Sequence, residues 1–252
     1  MKRNAAPRLV ARARDNGRAM DRGDSGRLHS AAGLLGVELE DAQADRLVRF
    51  RTLLAERAVP FGMVALGDAD RLLERHVLDC IRAVPPLRRV EAGTVADLGS
   101  GAGLPGLVVA VAMPAVSVIL AESRSRRAAF LEMAALELEL RNVAIHAGRV
   151  EALSGPFDAC TARAFAPPGR AWAVARALLR PGGRLLLFAG RSWPVERPAG
   201  GFPGGEDAVD EVDALSVGAV SGAHATGGSG NRPSTSTGWL ESAGPLVMIT
   251  RT

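Results

Sequence analysis

Between residues 94 and 190 the sequence alternates short apolar runs with helical periodicity, and this alternation constrains the fold more than any other feature. Strands are predicted in the short, nearly continuous apolar runs TVADLG, VSVILAES, VAIHAGR, FDACTARA and GGRLLLFAG. Helices are predicted between them in LPGLVVAVAM, RRAAFLEMAALELEL and GRAWAVARALL, and the tail GPLVMITRT is one more strand. Such alternation produces a mostly parallel sheet with helices on both faces. The sequence therefore predicts an α/β fold.

A glycine-rich turn, GSGAGLPG, follows Asp97 at the end of the first predicted strand. Glycine lets a ligand approach the backbone closely, and the helix that follows presents free N–H groups to ligand oxygens. Glu122 ends the next strand, 23 residues after Gly99, near the ~20-residue offset at which an acid binds ribose hydroxyls in Rossmann units. The pattern predicts a nucleotide-like ligand, against the alternative of a tight turn that binds nothing.

The glycine spacing narrows the choice of ligand. Gly99, Gly101 and Gly103 form G-x-G-x-G, which differs from the G-x-G-x-x-G of dinucleotide enzymes. An aspartate just before the turn suits a cofactor with an ammonium group better than one with a pyrophosphate. S-adenosylmethionine has such a group, and an NAD-dependent oxidoreductase is the least favoured alternative.

Helical periodicity predicts an N-terminal helical cap over residues 29–90, ahead of the α/β domain at 91–252. In the cap, Leu47, Val48, Leu53 and Leu54 share one helix face. A later helix directs a second apolar set inward and is predicted to stop at Pro85–Pro86. This inward set is Leu72, Leu73, Val77, Leu78 and Ile81.

Two segments carry little apolar character. Residues 1–28 are arginine-rich and have no apolar core segment, so we predict a disordered basic arm and no signal peptide, with a transit peptide as the alternative. Residues 198–238 are rich in Gly, Ser and Pro and predict a long loop, interrupted by a weak strand at AVDEVDALSVG.

Composition limits the function classes without selecting one. The chain has 31 Lys and Arg against 27 Asp and Glu, and Lys2 is the only lysine. Arginine pairs with phosphate and stacks on bases, which is compatible with an RNA partner, although a GC-rich genome explains the bias as well. Cys80 and Cys160 show no metal-ligand spacing, so we expect a reducing compartment and no metal.

The stretch Gly103–Ala121 has no charged residue, as a membrane span would. Pro105 and Pro114 divide it into pieces that are each too short to cross a bilayer. It is therefore predicted to be a buried helix followed by a buried strand.

The run VADLGSGAGLPG, with RHVLDC upstream and TARAFAP downstream, resembles the RsmG (GidB) family of bacterial small-subunit rRNA methyltransferases, from about Ala31 to Gly190. The resemblance implies a Rossmann-like class I methyltransferase sheet that uses S-adenosylmethionine. It also implies that the substrate is N7 of one guanine in 16S rRNA of the small ribosomal subunit. We expect a cytoplasmic monomer without a metal or a membrane segment.

The resemblance also implies the cofactor site. Gly99 and Leu104 would line the methionine and adenosine side, and Glu122 would take the ribose hydroxyls. Val150 and Glu151 would border the adenine, although without the family a solvated loop is the favoured interpretation of Glu151. Arg163 would face the cofactor and the incoming base. The predicted cofactor-binding residues are Asp97, Gly99, Gly101, Leu104, Glu122, Val150, Glu151 and Arg163.

The predicted RNA contacts lie around this site. Arg75 is expected to bind phosphate with Asp79 holding it in place, while His76 has a structural alternative. Arg126 lies at a helix start, where cations are disfavoured, and this indicates either an RNA-facing edge or a solvated helix start. Phe165 is a candidate to stack on guanine or a core residue. The predicted RNA-binding residues are Arg75, His76, Arg126, Phe165 and Arg191.

Two departures from the family pattern bear on function. Residues 61–66, FGMVAL, stand where many members carry N-L-T, and Ala189 stands where the family has lysine before glycine. Arg191 is the residue nearest in sequence to replace that cation. Two alternative functions therefore stay open, a methyltransferase of this fold with a small-molecule or protein substrate, and a non-catalytic homologue that binds the cofactor and docks on rRNA. Guanine N7 has a free lone pair, so no general base is predicted.

Overall fold

A computed structural model describes residues 23–190, 193, 208–211, 240 and 243–252. At its centre lies a seven-stranded sheet in the order β3-β2-β1-β4-β5-β7-β6. The strands are β1 (Thr94–Leu98), β2 (Ser117–Ala121), β3 (Val143–His146), β4 (Phe157–Arg163), β5 (Leu179–Phe188), β6 (Ala208–Glu211) and β7 (Leu246–Thr250).

The strand directions confirm the predicted mostly parallel, Rossmann-like sheet. The pairs β1–β2, β1–β4, β2–β3 and β4–β5 are parallel, whereas β7 runs antiparallel to both β5 and β6. The strand order reverses at β1, which lies between β2 and β4. Connections diverge at such a point and leave a crevice at the carboxyl ends of the strands. The glycine-rich turn begins there.

Helices cover both faces of the sheet, as predicted. Helices α5 (Gly106–Ala112) and α6 (Ser125–Glu137) share one core with the cap, and α7 (Pro168–Leu178) packs in a second core on the other face. Every residue of α5 is buried. The uncharged stretch from 103 to 121 is therefore a buried helix and a mostly buried strand, and among the described helices none is long and apolar enough to span a bilayer.

Residues 23–89 are largely helical, and we refer to them as the cap. The predicted inward-facing leucines and valines are buried. The prediction that the helix stops at Pro85–Pro86 is wrong: the helix ends earlier, at Ile81, and both prolines lie in the first turn of the next helix, where a proline needs no N–H partner. The elements are α1 (23–34), α2 (Asp41–Leu53), a π-helical stretch (Leu54–Ala58), a 3-10 turn (Leu66–Arg71), a second π-helical stretch (Leu73–Leu78), α3 (Asp79–Ile81) and α4 (Val84–Arg89).

The predicted end of the disordered arm, residue 28, is wrong. Residues 23–28 belong to α1, where Leu28 is fully buried. Asp24 accepts two hydrogen bonds from the Arg51 guanidinium, at 3.1 and 2.5 Å. Helix α1 thus begins at residue 23, inside the charged segment that was predicted to be disordered. Residues 1–22 lie outside the described residues, as does most of the predicted loop at 198–238, within which β6 is described.

Gly106 allows α5 to approach β1 and β2 closely. An added Cβ would lie 2.7 Å from Asp97 Oδ2 and would overlap the Leu120 side chain. We therefore expect Gly106→Ala to lower the free energy of unfolding by about 1–3 kcal/mol through overpacking. The melting temperature, measured by circular dichroism, should fall by about 2–4 °C per kcal/mol.

Gly33→Ala is the matched control for this substitution. Gly33 lies in α1 with nothing within 4 Å of an added Cβ. Alanine is the better helix former, so this variant should melt at the parent temperature or above it. Equal melting temperatures of Gly106→Ala and the parent would contradict the packing argument.

Candidate functional site

The turn after β1 requires glycine at alternate positions. Gly99, Gly101 and Gly103 have φ angles of +66°, +58° and +84°, where side chains are strained. An added Cβ at Gly103 would overlap Leu107, and one at Gly99 would lie 2.6 Å from Cδ2 of Phe165. The G-x-G-x-G spacing therefore follows from the backbone path of the turn and from its close neighbours.

Asp97 fixes this turn from behind. Its side chain is fully buried, Oδ2 accepts the Gly106 N–H at 3.2 Å, and Oδ1 accepts the Thr161 hydroxyl at 2.7 Å. Burial raises the pKa of Asp97 to about 6. The carboxylate has no exposed surface and joins β1, α5 and β4. The cofactor contact predicted for Asp97 stays a prediction.

Glu122 closes the front of the turn. Its Oε2 accepts the Gly101 N–H at 3.0 Å, its Oε1 accepts the Arg124 N–H at 2.8 Å, and Arg127 Nη1 lies 4.0 Å from Oε2. The structure thus brings together the two features that the sequence paired, the glycine turn and the acid after β2. Each carboxylate oxygen can accept more than one hydrogen bond, so Glu122 keeps acceptor capacity for a ligand hydroxyl.

The other predicted cofactor residues lie around the same crevice. Leu104 is buried within the turn, and Val150 is buried in a 3-10 turn after β3 (Val150–Ala152). That segment follows the end of β3, where the Glu122 N–H donates to the His146 carbonyl at 3.1 Å. The Glu151 side chain is half exposed, 3.9 Å from Arg170. The adenine-bordering role of Val150 and Glu151 stays a prediction.

Arg163, at the end of β4, is held by the cap. Its Nη2 donates to the Arg75 carbonyl at 2.8 Å and lies 3.3 Å from Asp79 Oδ2, and its Nη1 lies 3.4 Å from Cys80 Sγ. The guanidinium also lies 6.0 Å from the centroid of the Phe188 ring. The prediction placed this residue correctly at the strand end, but its hydrogen bonds and its ion pair are with the cap.

The predicted pairing of Asp79 with Arg75 is wrong. Asp79 lies 2.8 Å from Arg82 and 3.3 Å from Arg163, whereas Arg75 binds Asp68 at 2.6 Å. Asp79 is nearer to Arg75 in sequence, four residues away, but Asp68 reaches Arg75 from the preceding 3-10 turn. Arg75 remains about half exposed, and its role in binding phosphate stays a prediction.

His76 also turns toward Asp68. Its Nε2 lies 3.2 Å from Asp68 Oδ2, and its buried Nδ1 has no hydrogen-bond partner among the described residues. Burial, and secondarily the charge of Arg163, lowers the pKa of His76 below its usual range. His76 is therefore neutral near pH 7.

These side chains meet at a polar cavity of about 400 Å³ between the cap and the carboxyl ends of β4 and β5. Of the residues that the structure describes, three carboxylates and three guanidiniums line it, together with His76, and Ala189 contributes to its wall. Asp68, Glu74, Arg82 and Phe188 also line this cavity and were not predicted from the sequence. Both Asp68 and Glu74 lie within seven residues upstream of the RHVLDC motif, and this proximity was the available signal. The charged lining residues are Asp68, Glu74, Asp79, Arg75, Arg82 and Arg163.

The remaining predicted RNA contacts are placed as follows. The ring of Phe165 lies against Gly99, so it borders the glycine turn. Arg126 is exposed on α6, with its guanidinium carbon 5.7 Å from the centroid of the Phe61 ring. Arg191 lies outside the described residues. Within the described part of the chain, no group of three or more His, Cys, Asp or Glu could hold a metal ion.

The sequence is similar to known rRNA-modifying enzymes. The sequence profile of one family, rRNA small subunit methyltransferase G, matches residues 43–197. Ribosomal RNA small subunit methyltransferase G of Acidovorax sp. (strain JS42) is 39% identical over 176 residues, covering 65% of this chain and 77% of that protein. The enzyme of the same name from Xanthomonas euvesicatoria pv. vesicatoria is 38% identical over 192 residues, covering 75% and 88%.

A solved structure supports the fold. The crystal structure of a candidate O-methyltransferase from Klebsiella pneumoniae matches with a TM-score of 0.50 and 11% identity, covering 82% of this chain and 90% of that chain. At this identity the likeness speaks for the architecture and not for the substrate.

Thr161→Val tests the buried anchor of Asp97, because valine keeps the shape and removes the hydroxyl donor. An acid whose pKa is raised by folding lowers stability as the pH rises from its unfolded value, near 4, to its folded value of about 6. Losing the donor raises the folded pKa further. At pH 8 we expect a loss of about 1–3 kcal/mol in the free energy of unfolding, and a smaller loss at pH 5, where the protonated form prevails.

Urea titration at the two pH values measures this difference. Thr52→Val is the control, because the Thr52 hydroxyl donates to the Val48 carbonyl in α2 at 3.3 Å and contacts no acid. Its effect should be the same at pH 5 and pH 8. A pH-independent loss for Thr161→Val would contradict the assigned anchor.

Proposed function

Because the chain belongs to the rRNA small subunit methyltransferase G family, we propose that it transfers a methyl group from S-adenosylmethionine to N7 of a guanine in 16S rRNA. The observation that carries the cofactor assignment is the hydrogen bond from Gly101 N–H to Glu122 at 3.0 Å. It joins a turn with three glycines at positive φ to a carboxylate at the switch point of a parallel sheet. This is the arrangement expected of a nucleoside-binding crevice.

The residues of the crevice fit this cofactor. Glu122 has acceptor capacity for the two ribose hydroxyls, and the backbone of Gly99 and Gly101 carries no Cβ that would block a ligand. Asp97 would act indirectly by holding the turn through Gly106. Leu104 and Val150 would add apolar walls. S-adenosylmethionine would supply a methyl group on a positively charged sulfur.

Transfer to guanine N7 demands positioning and no proton removal. N7 lies on the major-groove edge of the base and presents a free lone pair. The work of the chain is therefore to align that lone pair with the methyl carbon and the sulfur. The cavity between the cap and the ends of β4 and β5 is where we place the base, and Phe165, beside Gly99, would stack on it. Ala189 leaves room there that a lysine would fill.

The proposed substrate also indicates the compartment in which the protein acts. Since 16S rRNA is part of the small ribosomal subunit, we propose that the chain acts in the bacterial cytoplasm on the subunit or its rRNA. The monomeric state stays a prediction.

The direct test combines binding and transfer. We expect calorimetry to detect S-adenosylmethionine binding by the purified chain, and tritiated cofactor to label small subunits from a strain lacking the gene. Reduction and aniline treatment should then cleave the labelled rRNA at one guanine, because this chemistry acts at N7-methylguanine. Binding without transfer to any RNA would support the docking homologue, and transfer to metabolites or proteins alone would support a different substrate. Absence of binding at millimolar cofactor would overturn the cofactor assignment.

Glu122→Gln tests the ribose acid. The variant exchanges a charged acceptor for a neutral amide of the same size, and hydrogen bonds to charged groups contribute about 1.5–3 kcal/mol. We therefore expect the cofactor dissociation constant to rise by about 10- to 150-fold in calorimetry. Glu132→Gln, on an exposed position of α6, is the matched control and should leave it unchanged. Equal affinities for all three proteins would contradict the role of Glu122.

A further inference from the structure

We propose that Phe61 and Arg126 together form a platform that binds one unpaired nucleotide of the RNA next to the target guanine. In this platform the Phe61 ring stacks on the base and the Arg126 guanidinium binds its phosphate. The inference rests on the proposed function, since it supplies a contact for the same RNA substrate. Its starting observation is the 5.7 Å separation between the Arg126 guanidinium carbon and the Phe61 ring centroid.

Phe61 is held outward by its neighbours. It lies in the turn after the first π-helical stretch, where the Gly62 N–H donates to the Val59 carbonyl at 3.0 Å. Val59 and Val64 on either side are buried, whereas 57% of Phe61 is exposed. Among the described residues it is the only exposed aromatic side chain. The turn thus exposes an aromatic ring to water, and stacking on a base would remove this unfavourable hydration of apolar surface.

Within the described part of the chain, Arg126 is a cation without an acidic partner. It is the second residue of α6, on the side of the helix opposite to the buried Ala128 and Leu131. Among the described residues it forms no ion pair, whereas the neighbouring Arg127 approaches Glu122 at 4.0 Å. A guanidinium that lies over a ring keeps its in-plane N–H donors available at its edges. Those donors match the oxygens of a phosphate.

The platform lies close to the proposed reaction site. Arg127, the next residue, reaches Glu122 and lies 3.8 Å from the position of an added Cβ at Gly101. Phe61 belongs to the cap and Arg126 to the α/β domain, so the pair joins the two bodies that enclose the polar cavity. A strand that delivers one base to the cavity would therefore pass this edge.

The chemistry favours single-stranded RNA as the partner. Unpaired bases stack on aromatic side chains and on arginine planes, whereas a paired helix offers no free base face. A ring and a cation side by side match the two parts of one nucleotide, its base and its phosphate. The target guanine must itself leave its stack to react, so an unpaired neighbour is expected at this place.

Steady-state methylation of small subunits that lack the modification tests the ring. Stacking contributes about 1–3 kcal/mol per base, so Phe61→Leu should raise KM for the subunit by about 5- to 150-fold. The turnover number and the cofactor dissociation constant should stay at the parent values. Phe61→Tyr keeps the ring and should restore most of the affinity. Leu136→Ala, an exposed apolar residue on the same helix as Arg126, is the matched control.

The salt dependence of subunit binding separates the two roles. Arg126→Gln should lower the affinity and reduce the slope of log K against log salt by about 0.7, the value for one phosphate contact on a single strand. Phe61→Leu removes no charge and should lower the affinity with the slope unchanged. If the pair only tethers the cap to α6, both variants will lower the melting temperature and Phe61→Leu will leave KM unchanged, and the proposal is then overturned.

Failure of the proposed function gives a different result from failure of the platform. If the parent chain methylates no RNA, filter binding to unmodified subunits still compares the parent with both variants, and parent-like affinity in the variants overturns the platform. If the parent binds no subunits, both proposals fail together. Methylation with unaltered KM in Phe61→Leu rejects the platform and leaves the methyltransferase assignment standing.

Discussion

The site depends on one buried carboxylate. Asp97 receives a backbone N–H from the start of α5 and a hydroxyl from β4, so it joins three elements where the strand order reverses. Its charge has no access to water, and burial raises its pKa to about 6. The hydrogen bonds from Gly106 and Thr161 offset part of this cost, and they hold in place a turn with three glycines at positive φ. A buried polar group that fixes the backbone beside a binding crevice serves geometry more than stability.

Polar and charged contacts also fix the boundary between the cap and the sheet. Arg163 ends β4 but is engaged by Asp79 and by the Arg75 carbonyl, and Arg82 donates to the Gly244 carbonyl just before β7. Paired charges therefore link the cap to the carboxyl ends of the strands. The cavity between them has walls that are held by hydrogen bonds and ion pairs, which resist the small displacements that would misalign a reacting base.

Much of the architecture could be predicted because it depends on local patterns of apolar residues in the sequence. Alternating apolar strands and helices indicate a parallel sheet, and the distance from Gly99 to Glu122 indicates that the turn and the acid meet. The direction of a side chain depends less on its neighbours in the sequence. Asp97 was expected to face the ligand and is buried behind the turn, and Asp79 was expected to bind Arg75 and binds Arg82 and Arg163. These outcomes depend on which elements pack together, as does the early start of α1, where Leu28 is buried by tertiary contacts that residue type does not reveal.

The lining of the polar cavity has a consequence for the product of the proposed reaction. Among the described lining residues, three carboxylates balance three guanidiniums in formal charge, and the lowered pKa of His76 favours its neutral form. Methyl transfer moves the positive charge of the sulfonium onto N7, so the base becomes a cation while the cofactor loses its charge, and a chamber whose described lining charges cancel imposes little repulsion on that change. A lysine at the position of Ala189 would shift the sum to one positive charge and oppose it. Alanine at this position thus makes the chamber more tolerant of the cation it would have to release.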